Sequence, residues 1–77
     1  MDINEFIDKF AAEFFETDRE EFNEETKFKE LEEWESLTAL TILAMVARDY
    51  SVKLSGNDII NATTIKDLYN RVAELKK

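Results

Sequence analysis

The chain has 77 residues, of which 44% are apolar and 36% charged, a formal net charge of −8, and no cysteine, histidine or proline. A chain of this size forms one small domain, which we assign to residues 1–77, and its apolar content is high enough for a packed core. The missing cysteines and histidines exclude disulfides, thiolate chemistry, the usual zinc ligands and the commonest general base.

The first predicted element is an amphipathic helix that begins near the N-terminus. Its apolar residues recur at the spacing of one helical face, namely Ile3, Phe6, Ile7, Phe10 and Phe14. Phenylalanines at this spacing are far more often core residues than the lining of a ligand pocket, so we expect them to face the interior. The pattern predicts that this helix ends near residues 15–17.

A long loop is predicted next, because residues 16–35 carry ten acids and no sustained apolar period. A loop of this length is uncommon in a compact domain unless it is anchored. We expect the anchors to be Phe22, Phe28, Leu31 and Trp34. The acids lack the alternating spacing and central glycine of an EF-hand, so weak screening by divalent cations is favoured over a calcium site, and no metal site is predicted.

The negative charge lies in the first half of the chain, with a net charge of −10 in residues 1–35 against +2 in residues 36–77. This acidic surface repels nucleic acids and anionic membranes; it either attracts basic partner surfaces or is simply a solvated face. No apolar run reaches membrane-spanning length, and the N-terminus lacks the basic segment of a secretion signal. We therefore expect a cytoplasmic protein that binds no nucleic acid and does not insert into membranes.

A second helix is predicted from Ser36 or Leu37 to about Tyr50. A helical wheel gives it a wide apolar arc, formed by Ala39, Leu40, Ile42, Leu43, Val46, Ala47 and Tyr50. Met45 falls in the remaining polar wedge, where it is either an exposed binding contact or covered by the preceding loop. The Ser36 hydroxyl either caps this helix or is an attachment point, whose phosphate ester would be stabilised by free N–H groups and the positive end of the helix dipole.

The rest of the chain predicts short elements. Residues 51–54 are expected to be extended, and Ser55 or Asn57 can cap a short helical turn. Thr64 and Asp67 form a variant capping box at the start of a last helix. The apolar face of that helix is Ile65, Leu68, Tyr69, Val72 and Leu75.

The helical patterns together predict an all-α fold. It is a small four-helix bundle with three main helices, one short helix and a long loop between helices one and two. Lys76 and Lys77 end the last helix, where positive charge interacts favourably with the helix dipole.

These elements, in this order, resemble an acyl carrier protein over essentially the whole chain. The attachment motif of that family is Asp-Ser-Leu, and Glu35, Ser36 and Leu37 match it with Glu in place of Asp. The stretch from Thr26 to Leu31 matches the family's loop pattern Thr-x-Phe-x-x-Leu. The resemblance implies that Ser36 carries a covalent 4'-phosphopantetheine and that Glu35 and Leu37 flank the attachment site.

The resemblance implies a carrier and not an enzyme. Such a carrier holds acyl intermediates as thioesters and presents them to partner enzymes, as in fatty acid or polyketide biosynthesis. Its expected partners are a phosphopantetheinyl transferase and the acyl-loading and acyl-transfer enzymes, and we expect the carrier to be a monomer. The competing interpretation is a helical interaction module that is never modified. A small hydrolase that uses Ser36 is disfavoured because the chain has no histidine to activate the serine.

Partner enzymes are expected to bind a face of the second helix that starts at the attachment site. Its residues are Leu37, Thr38, Thr41, Met45 and Arg48, which extend from that site along one helical surface. The family usually displays acids on this helix, whereas this chain has threonines, an alanine and Arg48 at such positions. This difference favours a dedicated biosynthetic pathway over the housekeeping fatty-acid carrier.

Overall fold

The computed structural model describes residues 1–76 and consists of helices joined by loops. Helix α1 spans Ile3–Ala11, α2 spans Ser36–Tyr50, α3 spans Gly56–Asn61 and α4 spans Ile65–Leu75, and the described residues contain no strand. Helix α1 packs against α2 and α4, while α3 packs against α4. The predicted all-α class, with three main helices, one short helix and a long loop after the first, is confirmed.

Helix α1 ends earlier than the sequence predicts. It stops at Ala11 instead of continuing to residues 15–17. The backbone N–H groups of residues 15–17 donate hydrogen bonds to the carboxylate of Glu33. This carboxylate takes the place of the backbone carbonyls that would accept these bonds if the helix continued. Because a side chain satisfies these donors, the backbone can leave the helix without losing hydrogen bonds. Phe14 is nevertheless buried, as predicted.

Aromatic side chains build the core and anchor the long loop. Phe6 and Phe10 of α1 are fully buried, which confirms the predicted inner face of this helix. Phe28 from the loop packs edge-on against Phe10, with 5.4 Å between ring centroids, and Trp34 packs edge-on against Phe28 at 5.0 Å. Phe22 is also buried. The predicted anchoring of the loop by its apolar residues is confirmed.

Hydrogen bonds also tie the loop to α3 and α4. The loop contains two short 3₁₀ helices, Arg19–Glu21 and Phe28–Glu30. The Thr26 carbonyl accepts a hydrogen bond from the Ile65 N–H at the start of α4, at 3.1 Å. The Lys29 ammonium donates to the Ile60 carbonyl near the end of α3, at 2.7 Å. The loop is thus held against the junction between α3 and α4.

Helix α2 buries Ile42, Val46 and Tyr50, as the helical wheel suggested, but it is rotated so that its inner face also includes Met45. Ile42, Met45 and Val46 are fully buried, whereas Leu40 is 61% exposed and Ala47 is exposed as well. The placement of Leu40 and Ala47 in a buried arc was therefore wrong. Residues 37–47 carry no charge, so periodicity cannot identify the solvent side, and packing against α1 decides it.

The two helices after α2 begin with the predicted N-caps. Ser55, rather than Asn57, caps α3, and its side chain forms a reciprocal capping box with Asp58. Thr64 and Asp67 form the second capping box at the start of α4, which confirms the variant with Asp in place of Glu.

The sequence predicts that residues 51–54 are extended, but Ser51 has the left-handed backbone that ends α2, with φ of 57°. After it, Val52 and Leu54 are buried and Lys53 is exposed, as an extended segment predicts. Lys76 donates to the Tyr50 carbonyl at 2.9 Å, so this side chain connects the end of α4 to the end of α2. The predicted dipole contribution of Lys77 lies outside the described residues.

Candidate functional site

Ser36 is the first residue of α2 and is exposed. The N-cap position belongs to Glu35, whose backbone is extended, with φ of −156° and ψ of 179°, and whose side chain makes no capping hydrogen bond. The interpretation of Ser36 as the cap was therefore wrong. Its hydroxyl is placed at the surface, beside exposed Glu35 and Leu37, so the three residues of the predicted motif lie together.

The start of α2 is electrostatically suited to an anionic group. The first N–H groups of a helix have no partner within the helix, and they form the positive end of its dipole. The first turn of α2 contains no acid that would offset this charge from within. A phosphate ester on Ser36 would meet donors and a favourable potential, which is the arrangement common to anion sites at helix starts.

An apolar groove of about 460 Å³ begins at Ser36 and runs between α2 and α3. Its walls include Trp34, Ala39, Leu40, Leu43, Ile59 and Ile60. Leu40 and Ile60 are 61% and 67% exposed and line the same groove, so they form part of an exposed apolar patch. The helical wheel places Leu40 in the buried arc, and the sequence gives no signal that either Leu40 or Ile60 is exposed.

A second groove, of about 420 Å³, lies on the other side of the Ser36 motif. Its residues come from the turn after α1, the end of the loop and the first half of α2, namely Glu13, Phe15, Glu16, Glu33, Glu35, Leu37, Thr38 and Thr41. Phe15 is 94% exposed. We call this second surface the Phe15 groove. In the sequence, Phe15 does not belong to the apolar face of the first helix, and its exposure could have been predicted from this position.

One side chain fixes the shape of the Phe15 groove. The Glu33 carboxylate accepts hydrogen bonds from the N–H groups of Phe15, Glu16 and Thr17, at 2.7, 3.0 and 3.0 Å, and from the Thr17 hydroxyl at 2.9 Å. The Glu33 carbonyl accepts from the Thr38 hydroxyl in α2 at 3.2 Å. The bond from the Phe15 N–H, with the others, holds the pKa of Glu33 below its usual range. Nothing in the sequence distinguishes Glu33 from the nine other acids of its loop.

The predicted partner face is only partly at the surface. Leu37 is 63% exposed and Arg48 is exposed, while Thr38 and Thr41 are half-buried. Met45 is fully buried in the core, so the expectation that it contacts partners was wrong. The reason is the rotation of α2 described above, which places Met45 on the inner side with Ile42.

The charge of Arg48 is shared with neighbouring acids. Its guanidinium lies 2.9 Å from the Asp49 carboxylate and 3.9 Å from that of Glu13. The hydrogen bond from Arg48 lowers the pKa of Asp49. Arg48 therefore presents less net positive charge to a partner than its place in the sequence suggests.

Comparison with known families shows which family the chain belongs to. A family described as "Phosphopantetheine attachment site" matches residues 5–72, which is most of the chain. The chain belongs to the phosphopantetheine attachment site family. No curated protein and no solved structure gives a significant match.

Phosphopantetheine attachment domains carry covalent 4'-phosphopantetheine and act as carriers, not as catalysts. The predicted resemblance, cofactor and carrier role are therefore confirmed. Such a domain interacts with a transferase that attaches the arm and with acyl-handling enzymes. Among residues 1–76, no group of His, Cys, Asp and Glu side chains is arranged to hold a metal ion, and no helix could span a membrane.

Proposed function

We propose that Ser36 is the attachment residue and that the domain carries acyl groups as thioesters on its phosphopantetheine arm. The observation that supports this choice is the exposed position of Ser36 at the start of a helix whose first turn contains no acid, at the head of an apolar groove. The chain has two other serines, Ser51 and Ser55. Ser55 is engaged in a capping box, and Ser51 lies at the far end of α2, where the dipole is negative.

Attachment needs a nucleophilic oxygen that an enzyme can reach. The Ser36 oxygen would form a bond to the phosphorus that bears the pantetheine chain of coenzyme A. The bond from this phosphorus to the nucleotide part would break, the nucleotide would leave, and a base of the transferase would take the hydroxyl proton. The arm then supplies the thiol that this chain lacks, and a thioester on this thiol keeps an acyl group activated for transfer.

The groove beside Ser36 supports an acyl cargo with apolar character. Leu40 and Ile60 are exposed and offer contact to alkyl carbon, together with the half-buried Leu43. Covering such side chains removes apolar surface from water, which favours binding. The proposed cargo therefore includes acyl groups with an alkyl portion.

We also propose that the carrier is a cytoplasmic monomer that serves a dedicated biosynthetic pathway. Residues 37–47 of α2 carry no acid, and the charge of Arg48 is partly offset by Asp49. Leu37, Thr38, Thr41 and Arg48 remain the proposed contacts for acyl-handling enzymes. An enzyme that selects carriers by acids on this helix would discriminate against this chain.

The attachment residue is tested by intact mass after incubation with a phosphopantetheinyl transferase and coenzyme A. Wild-type protein and Ser51→Gly should each gain one phosphopantetheinyl group, and Ser36→Ala should gain none. Glycine suits position 51 because the backbone there has a positive φ of 57°. If Ser36→Ala still gains a phosphopantetheinyl group, the attachment residue is not Ser36. Wild-type protein that gains no mass would leave an unmodified interaction module as the function.

A further inference from the structure

We propose that the Phe15 groove is the docking surface for the transferase that modifies Ser36, and that Phe15 is the main contact. This inference rests on the proposed function and names the partner of that site. The groove combines an exposed aromatic side chain, an exposed leucine and a rim of carboxylates. The partner surface that fits it has lysines or arginines around an apolar hollow.

The exposure of Phe15 is imposed by the structure. Phe15 is 94% exposed although its neighbour Phe14 is buried. The three N–H groups that Glu33 binds belong to Phe15 and the two residues after it, so the turn that presents the aromatic ring is fixed. Because the backbone that carries the ring is already fixed, a partner can bury the ring without first ordering this turn.

The same residue connects this turn to the attachment site. The Glu33 carbonyl accepts from the Thr38 hydroxyl, and Thr38 lies in the first turn of α2, two residues after Ser36. Phe15 and the start of α2 are therefore joined through one residue, without an intervening flexible segment. A partner that binds Phe15 is positioned relative to Ser36.

The position of the groove favours the transferase over enzymes that act on the cargo. The transferase must bring its reacting groups to the Ser36 oxygen itself, whereas acyl-handling enzymes act at the end of a long arm. A standard interface covers about 800 Å² on each partner, which is about one sixth of the 4924 Å² accessible surface of this chain. A footprint of this size around Ser36 includes the adjacent groove.

The charged residues around the Phe15 groove specify the sign of the charge expected on the partner's binding surface. The ionisable residues that line the groove are all glutamates, namely Glu13, Glu16, Glu33 and Glu35. Within residues 1–76, Glu16 and Glu35 form no ion pair, while Glu13 is 3.9 Å from Arg48. Two free carboxylates beside an apolar contact attract a basic surface and repel an acidic one.

The proposal is tested with the phosphopantetheinyl transferase that modifies the wild-type chain. Phe15→Ser should raise the KM for the carrier about tenfold and leave kcat unchanged, as expected when a binding contact is lost. Glu16→Lys should also raise KM and should weaken its dependence on salt. Leu75→Ser is the matched control, since Leu75 is 39% exposed and lines neither groove, and its KM should equal that of wild type.

A second measurement does not depend on turnover. The Kd of the transferase for Ser36→Ala is compared with the Kd values for Ser36→Ala combined with Phe15→Ser or with Leu75→Ser, by calorimetry. The Phe15 change should weaken binding about tenfold and the Leu75 change should not. Circular dichroism confirms that each variant is folded.

Two results would overturn the proposal, and they are distinguishable. If wild-type protein is modified normally and Phe15→Ser keeps the KM and Kd of the Leu75→Ser control, the docking surface is wrong and the attachment at Ser36 stands. If wild-type protein is not modified at all, the proposed function fails and the docking surface fails with it.

Discussion

The Glu33 carboxylate accepts hydrogen bonds from both the N–H and the hydroxyl of Thr17, at 3.0 and 2.9 Å, although the two residues are 16 positions apart in the sequence. The same carboxylate takes the N–H groups of Phe15 and Glu16. A carboxylate that accepts several N–H bonds is stabilised in its charged form. The end of the loop is thereby attached to the turn after α1, and this attachment depends on the ionisation of one side chain.

We therefore expect acid to release this attachment. The folded-state pKa of Glu33 is lowered, first by the bond from the Phe15 N–H, so its contribution to stability is complete above the unfolded pKa and is lost as pH falls through the folded value. The Tm of wild-type protein should fall below about pH 4.5, and Glu33→Gln should have a lower Tm at pH 7 and a smaller fall in acid.

The neighbouring Glu32→Gln is the control for this measurement, because Glu32 is exposed and accepts no hydrogen bond among the described residues. Asp58 and Asp67 also have lowered pKa values, owing first to the Ser55 and Thr64 N–H groups, so part of the acid response remains in every variant. Identical pH profiles for Glu33→Gln and wild type would show that the carboxylate does not stabilise the turn.

Removal of the Tyr50 hydroxyl should not destabilise the protein. This hydroxyl is buried without a hydrogen-bond partner in the described structure, and burial raises the pKa of Tyr50 to about 12. An unpaired buried polar group costs about 1–3 kcal/mol, so Tyr50→Phe should leave the free energy of unfolding unchanged or raise it by about 1 kcal/mol. Urea denaturation measures the difference.

Tyr69→Phe provides the comparison for Tyr50. The Tyr69 hydroxyl donates to the Met1 carbonyl at 2.6 Å, so its removal should lower the free energy of unfolding by about 0.5–1.5 kcal/mol. A clear loss of stability in Tyr50→Phe would mean that its hydroxyl has a partner, such as a buried water.

Substitution by alanine should destabilise the protein strongly at Met45 and only slightly at Leu40. Met45 is fully buried, so Met45→Ala should cost about 2–5 kcal/mol of unfolding free energy. Leu40 is 61% exposed, and Leu40→Ala should change the unfolding free energy by less than about 1 kcal/mol. Thermal or urea unfolding measures both variants. A costly Leu40→Ala with a neutral Met45→Ala would restore the orientation of α2 that the helical wheel suggested.

The helices could be predicted because their patterns depend on local information. The spacing of Phe6 and Phe10 marks the inner face of α1, and Thr64 with Asp67 marks the start of α4. The rotation of α2 could not be predicted, because a helix without charges over residues 37–47 gives no polar side to orient it. Its orientation is a property of the packed structure.

The candidate site also has one part that could be predicted from the sequence and one part that could not. Ser36, Glu35 and Leu37 could be found from a motif, since they are adjacent in the sequence. The Phe15 groove could not, because it joins residues from the turn after α1, the end of the loop and α2 through Glu33. Contacts between residues that are distant in the sequence do not produce a residue spacing that can be recognised in a single sequence.

The long loop between α1 and α2 should resist changes in length. Surface connections usually tolerate inserted residues, because lengthening a flexible loop costs little entropy. In this loop, Glu33 binds the turn after α1, the Thr26 carbonyl binds the start of α4, and Lys29 binds the end of α3. An insertion between these points would displace at least one of them from its partner. The segment is therefore a structural part of the bundle, and natural variation in domain length is more easily accommodated at the chain ends than here.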